Sequence, residues 1–149
     1  MAVGLEGGPR ELFGELLTAM PQGWPEVELA VAADGREALH SAREGWFRNE
    51  LLALEFRAGD ERAVLAVEAE VSIFGLSRLF AYSAGLGLGV ALKIYDPLMG
   101  TGKIMVPGLA AATLGWLMGM YCARAVARLL RDRLERRVRR ALPAGLRPL

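Results

Sequence analysis

The chain has 149 residues, of which 53% are apolar and 23% are charged, and its formal net charge is only +1. This length leaves room for one small soluble domain with a helical hairpin, or for one compact domain alone. The single cysteine, Cys122, excludes an intramolecular disulfide framework and any zinc site that needs several cysteines.

The near-neutral charge is a cancellation between the two ends of the chain. Residues 1–70 carry 14 acidic residues against six arginines, a formal charge of −8, whereas residues 123–149 carry nine arginines against two acidic residues, a formal charge of +7. Such an asymmetry suggests an anionic partner or surface for the basic end. The first residues have neither a basic region nor a long apolar core, so they do not predict a secretory signal.

The first elements are a helix and two short strands. Residues 9–20 place apolar side chains at helical spacing, and the proline at their start suits the first turn of a helix. Residues 27–31 alternate as a strand. The Asp-Gly pair at 34–35 favours a hairpin turn with a returning strand over 36–41, although a helix over those residues stays open.

Two further strands complete the predicted soluble domain. Residues 50–57 and 62–69 alternate between apolar and polar or small side chains, and a glycine-containing connection at 58–61 has hairpin length. We therefore predict a cytoplasmic α+β domain over residues 1–70, in which one helix packs on an antiparallel sheet of three or four strands.

Two apolar stretches follow, at residues 71–92 and 104–122. At 1.5 Å per residue they would form helices of roughly 33 Å and roughly 28 Å, close to the hydrocarbon thickness of a bilayer. The connection at 93–103 is short and polar, which favours a turn. The sequence therefore predicts a transmembrane hairpin of two helices over residues 71–122.

Arg78 is the one charged residue in the first apolar stretch. The ten strongly apolar residues of that stretch give a gross insertion gain of roughly 3–6 kcal/mol, and an arginine at the helix centre would cost about 2.5–3.5 kcal/mol. Insertion is still predicted. Arg78 has two interpretations: a side chain that reaches the headgroups, or a functional charge that faces a partner or a cavity.

Small residues recur at every fourth position in both apolar stretches. In lipid, small residues allow helix backbones to approach closely, and this spacing places them on one face. The pattern predicts close packing of the two helices and suggests an oligomer contact, whereas the alternative is that glycine and alanine are merely abundant. The candidate packing residues are Gly85, Gly89, Gly115 and Gly119.

Residues 123–142 continue as a basic helix with one apolar stripe, formed by Ala127, Leu130, Leu134, Val138 and Ala141. We predict that this tail, 123–149, anchors on anionic lipid; docking on the acidic domain of the same or a neighbouring chain is the second interpretation. Nucleic-acid binding is disfavoured, because the tail has no aromatic residue for stacking. The candidate contact residues are Arg124, Arg128, Arg131, Arg136 and Arg139.

The arginines also predict an orientation. Nine of them follow the second apolar stretch, whereas the connection at 93–103 carries only two lysines and one aspartate. The positive-inside rule then places the tail in the cytoplasm. Two spans bring the acidic domain to the same side, which predicts an inner-membrane protein with both termini cytoplasmic.

Motifs for catalysis or for a cofactor fail on inspection. The GTGK segment at 100–103 lacks the first glycine and the final serine or threonine of a phosphate-binding loop. The glycines at 85–89 lack the strand, spacing and acidic partner of a dinucleotide fingerprint. His40 is the only histidine, and no second metal ligand stands at a suitable spacing. No catalytic residue, metal site or cofactor is predicted, and a non-enzymatic role is favoured.

The resulting functional hypothesis is a small integral membrane protein. Its cytoplasmic domain would act as a binding or sensing module, or as an accessory subunit of a homo-oligomer or a larger membrane complex. Two alternatives stay open. One is a lipid-handling or small-ligand-handling protein, with or without enzymatic activity, whose soluble domain holds an apolar pocket. The other is a wholly soluble protein in which residues 71–122 form a buried helical core.

Overall fold

A computed structural model of the whole chain describes residues 1–20, 23–31, 36–57, 60–99 and 105–149, without the side chains of 94–99, 105–107 and 109. The chain forms two compact units, which we call the sheet unit, residues 1–70 with 128–149, and the helical unit, residues 71–127. The elements in chain order are β1 (Ala2–Leu5), α1 (Pro9–Ala19), β2 (Glu28–Val31), β3 (Arg36–Glu44), β4 (Arg48–Arg57), β5 (Arg62–Val71), α2 (Ile73–Met99), α3 (Met105–Ala141) and β6 (Leu146–Pro148).

The sheet is antiparallel and has six strands in the order β2-β3-β4-β5-β1-β6. The prediction of three or four strands is therefore wrong. The two added strands come from the ends of the chain: β1 pairs with β5 on one side and with β6 on the other. They have four and three residues, too few for an alternation pattern to reveal them. Their partners lie far away in sequence.

One face of the sheet, which we call the inner face, carries the core. Alternate residues of β3, β4 and β5 are buried on it, as the two-residue period of a strand requires. Helix α1 and the last part of α3 contribute to the same core. The opposite, outer face carries mostly polar and small side chains. The buried core residues are Val3, Leu12, Phe13, Leu16, Leu17, Met20, Leu39, Leu52, Leu54, Ala63, Leu65, Val67, Ala69, Leu134, Val138 and Leu146.

Several predicted elements are confirmed. Helix α1 has its predicted start, and strands are present over the four segments from residue 28 to residue 71. The alternative of a helix over 36–41 is wrong, because these residues pair with β4 over the whole length of β3. The predicted turn at 34–35 lies outside the described residues, as do residues 58 and 59 of the predicted turn at 58–61 and the GTGK segment at 100–103.

The predicted hairpin of two transmembrane helices followed by a separate tail is also wrong. Among the described residues, one helical segment, Ile73–Lys93, is long and apolar enough to cross a membrane. Helix α2 continues beyond it to Met99. The predicted second span, 104–122, lies within α3 apart from its first residue, and α3 runs without a break to Ala141. Residues 128–149 belong to the sheet unit with residues 1–70.

Candidate membrane-contact surface

Helix α3 presents a stripe of small buried residues within the helical unit. Ala111, Gly115, Gly119 and Ala123 are all buried and recur at every fourth position. Residues four apart lie one above the other on a helix, so this stripe forms one continuous face. The side chains on this face are too small to separate two helices.

Helix α2 meets this stripe at backbone distance. A Cβ atom added to Gly115 would lie 2.5 Å from the Cα of Ala84, and one added to Gly119 would lie 2.7 Å from the hydroxyl oxygen of Ser83. From the other side, a Cβ added to Gly87 would lie 2.7 Å from the carbonyl oxygen of Ala111. These distances are shorter than ordinary contacts of a Cβ atom. At Gly115 and Gly87 the opposing atoms belong to the backbone, so a side chain there requires a shift of the helices, whereas at Gly119 the side chains of Phe80 and Ser83 must move.

The four predicted packing glycines therefore occupy two different environments. Gly115 and Gly119 lie in the contact between α2 and α3, whereas Cβ atoms at Gly85 and Gly89 would meet no atom of the described structure within 4 Å. Gly87, which the four-residue spacing did not select, supplies the close approach on α2. Three glycines alternate at 85, 87 and 89, and the sequence does not reveal which of them faces α3.

The large apolar side chains of the helical unit point away from this contact. Only 6% of the candidate membrane span in α2, Ile73–Lys93, is buried. Phe80 and Trp116 stack across the two helices with their ring centroids 6.4 Å apart. The exposed apolar surface, which we call the apolar belt, consists of Ile73, Phe74, Tyr82, Leu86, Leu88, Val90 and Leu92 of α2 and Leu114, Trp116, Leu117, Met118 and Tyr121 of α3.

The serine hydroxyl groups at the start of α2 and within it form hydrogen bonds to the backbone of the same helix. The hydroxyl oxygen of Ser72 accepts a hydrogen bond from the Gly75 amide at 3.2 Å, which caps the start of the helix. Ser77 and Ser83 donate to the carbonyl oxygens three residues earlier, at 2.9 and 3.1 Å. These bonds leave the three hydroxyl groups compatible with apolar surroundings, where an unsatisfied polar group costs several kcal/mol.

The predicted charged residues lie on exposed helix surfaces. Arg78 is exposed on α2, and the five candidate arginines of α3 are exposed as well. The apolar stripe of the predicted tail has another use: Leu134 and Val138 are in the core of the sheet unit, and Leu130 and Ala141 pack against that core. The stripe is thus occupied within the chain. The five candidate arginines lie outside this stripe on the exposed surface of α3, so they offer a partner their charge and no apolar face. They are Arg124, Arg128, Arg131, Arg136 and Arg139.

Glu135 and Arg139 form the one ion pair described on this helix. Arg139 donates to the same carboxylate oxygen from Nη2 at 2.7 Å and from Nε at 3.2 Å. These hydrogen bonds lower the pKa of Glu135 below its ordinary value, because they favour the ionised carboxylate. The pair is partly exposed, so it stabilises the helix only modestly.

The part of the chain that the structure describes contains no group of three His, Cys, Asp or Glu side chains arranged to hold a metal ion. His40 lies on β3 with its Nε2 3.1 Å from a carboxylate oxygen of Glu28 on the neighbouring strand β2. Comparison with protein-family models, with curated proteins and with solved structures finds no match for this chain.

Proposed function

We propose that this protein is a membrane-attached binding module, held at a bilayer by the apolar belt of its helical unit. The observation that carries the proposal is the exposure of α2: its candidate span is 6% buried, whereas the core helix of a water-soluble protein is mostly buried. Soluble monomers rarely expose contiguous apolar patches of more than a few hundred Å². Lipid is the partner whose chemistry fits a belt of large apolar side chains around two closely packed helices.

The turn between β3 and β4 gives independent support. It carries two exposed aromatic residues, Trp46 at 65% and Phe47 at 43% of full exposure. Strand β5 runs antiparallel to β4, so this turn lies at the end of the sheet where β5 leads into α2. Aromatic side chains are enriched where a protein meets the interface between lipid and water.

The topology of the sheet unit bears on the orientation. Strands β1 and β6 pair with each other and lie in one sheet, although one precedes the helical unit in the chain and the other follows it. Both termini therefore lie on the same side of any bilayer that the helical unit enters. The arginines that begin at Arg124 favour the cytoplasm for that side. Their charge also suits anionic headgroups, at about 1 kcal/mol per arginine near the surface.

The sheet unit supplies the binding part of the module in this proposal. Its inner face is filled by the core, and its outer face is available to a partner or ligand. An accessory role in a larger membrane complex, or a homo-oligomer, would cover part of the apolar belt with protein instead of lipid.

Fractionation of the expressed full-length chain tests the attachment. We expect it to stay in carbonate-washed membranes, and we expect the double variant L86D/V90D to leave them, because each aspartate costs about 2.5–3.5 kcal/mol near the centre of a membrane helix. Leu86 and Val90 are exposed on α2. The matched control is L29D, which places the same charge at an exposed leucine of β2 and should leave fractionation unchanged.

Two outcomes would overturn the proposal. One is a wild-type chain that remains monodisperse in the carbonate supernatant without detergent. The other is equal loss of membrane attachment in L86D/V90D and L29D. Tags on the two termini test the orientation separately: both should resist protease added outside intact cells, and protection of only one tag would contradict the shared side.

A further inference from the structure

A row of arginines crosses the outer face of the sheet at the end where β4 turns into β5. Arg36 begins β3, Arg57 ends β4 and Arg62 begins β5. Arg36 and Arg57 are direct register partners. The neighbours of Arg57 and Arg62 in sequence, Phe56 and Ala63, are partly or fully buried on the inner side. Because side chains alternate between faces, the three arginines project from the outer face.

The row continues on the far side of β5 with a glycine and a fourth arginine. Arg62 pairs with Gly4 of β1, and Gly4 pairs with Arg147 of β6. Gly4 has no side chain of its own, and a Cβ added there would lie 3.8 Å from the side chain of Leu149. Arg147 is held by Glu6, with a nitrogen-to-oxygen distance of 3.4 Å. We call Arg36, Arg57 and Arg62 the arginine row.

Among the residues that the structure describes, the guanidinium groups of Arg57 and Arg62 take part in no ion pair. Asp60, in the turn between β4 and β5, has one carboxylate oxygen engaged by the backbone amide of Arg62 at 3.1 Å. An anion bound between Arg57 and Arg62 would supply a counter-charge to both guanidinium groups.

The arginine row lines an open cavity of about 560 Å³. That volume is in the range of sites that hold small organic ligands. The remaining walls are of two kinds: the acidic residues Glu55 and Asp60, and the apolar residues Ala2, Phe56, Ala63, Val64 and Leu149. Val64 and Leu149 are about half and three-quarters exposed, respectively, so the cavity combines cationic groups with an apolar wall.

We propose that the arginine row binds the phosphate group of a phosphomonoester, whose organic part lies against Val64 and Leu149. The planar guanidinium group presents paired donors that match the oxygens of a phosphate. Arg57 and Arg62 carry such donors on the adjacent strands β4 and β5, and both line the same cavity. The inference rests on the proposed role of the sheet unit as a binding module, and it is independent of attachment to a membrane.

Calorimetric titration of the detergent-solubilised full-length chain tests the site. The two probes are inorganic phosphate and the soluble lipid analogue dihexanoyl phosphatidic acid, at an ionic strength held constant with chloride. R57A and R62A should each weaken binding of either probe about tenfold, because each removes a charge-assisted hydrogen-bond donor. R57K should retain part of the affinity, since lysine keeps the charge and loses the paired donors.

R10A is the matched control. Arg10 is an exposed arginine of α1, and that helix packs on the inner face. The variant thus removes an equal charge from the same unit and should bind both probes as the wild type does. Circular dichroism of each variant, compared with the wild type, separates loss of the site from loss of the fold.

The two probes distinguish the sources of the phosphate group. Similar affinity for both indicates a free phosphate ester, and much tighter binding of the lipid analogue indicates a headgroup, with Val64 and Leu149 contacting its acyl part. Absence of saturable binding for both probes overturns the proposal. So does a result in which folded R57A and R62A bind as tightly as R10A. Neither result changes the carbonate fractionation, so failure of this site is distinguishable from failure of membrane attachment.

Discussion

The two units of this protein bury opposite kinds of side chain. In the sheet unit the fully buried positions belong mostly to large residues such as Phe13 and Leu16. Most charged side chains are exposed, and the buried Glu50 is paired with Arg48 at 3.2 Å. In the helical unit the buried positions belong to alanine, glycine and serine, and Phe74, Leu86 and Trp116 face outward. The same chain thus follows two different packing rules in its two units.

This difference indicates which kind of surroundings, aqueous or apolar, each unit suits. Burial of large apolar side chains stabilises a fold in water by removing apolar surface from it. Close contact between small residues stabilises helices where the surroundings are themselves apolar, because exposure of large apolar side chains then costs nothing. The arrangement of the sheet unit fits water, and that of the helical unit fits lipid or a covering protein.

Phe13 and Phe74 give the sharpest test of this comparison, with the largest expected effect. Phe13 is fully buried in the sheet unit, and Phe74 is 65% exposed on α2. F13A should lower the free energy of unfolding of the sheet unit by about 3–5 kcal/mol, because it leaves a cavity in a packed core. F74A should leave it unchanged. Hydrogen exchange of the β4 amides measures the sheet unit separately from the helices; equal effects of the two variants would contradict the division into two packing rules.

Local patterns were sufficient to predict the elements of the sheet unit that carry their own signal. Apolar spacing revealed α1, and alternation revealed β4 and β5 within one or two residues of their ends. They were not sufficient for β1 and β6. Both strands are short, and their partners lie about 60 positions away, for β1 with β5, or at the opposite end of the chain, for β1 with β6. Only one interpretation of the sequence, docking of the tail on the acidic domain, allowed the last part of α3 to join this core.

The candidate sites show the same limit. The four-residue spacing predicted Gly115 and Gly119 but not Gly87. The sequence does not determine which face of α2 turns toward α3, so the glycines at 85, 87 and 89 are equivalent candidates. The arginine row was missed for a different reason. Arg36 and Arg57 are 21 positions apart, and only the register of β3 against β4 places them side by side. No local motif carries that information.

Gly115 and Gly85 test the packing of the helical unit, with an intermediate effect. G115A should destabilise the pair of helices by about 1–3 kcal/mol, because its Cβ would lie 2.5 Å from the Cα of Ala84 and the backbones must separate. G85A has open space, so it should be neutral or stabilise α2 by up to about 1 kcal/mol. Thermal unfolding in detergent, followed by circular dichroism, measures both variants. Equal shifts would show that the two helices do not pack through Gly115.

The smallest expected effect concerns the surface of α3, where the helix changes from a charge-free exterior to a charged one at Arg124. Glu135 precedes Arg139 by four residues, the favourable order for an ion pair on a helix. Because Arg139 holds the pKa of Glu135 below its ordinary value, the pair stabilises the folded state at neutral pH. This stabilisation is lost as the pH falls through the lowered pKa.

We therefore expect E135Q to destabilise the last part of α3 by about 0.3–0.5 kcal/mol at neutral pH and low salt. The effect should vanish in acid, where the wild-type carboxyl is protonated as well, and it should shrink as salt screens the pair. Hydrogen exchange of the amides that follow Arg139 in α3 measures it, and the double variant E135Q/R139Q completes a cycle that isolates the pair. E68Q, at an exposed carboxylate of β5, is the control. An effect of E135Q that persisted at high salt would mean that Glu135 acts through packing, and the water-facing side of α3 would then be part of the core.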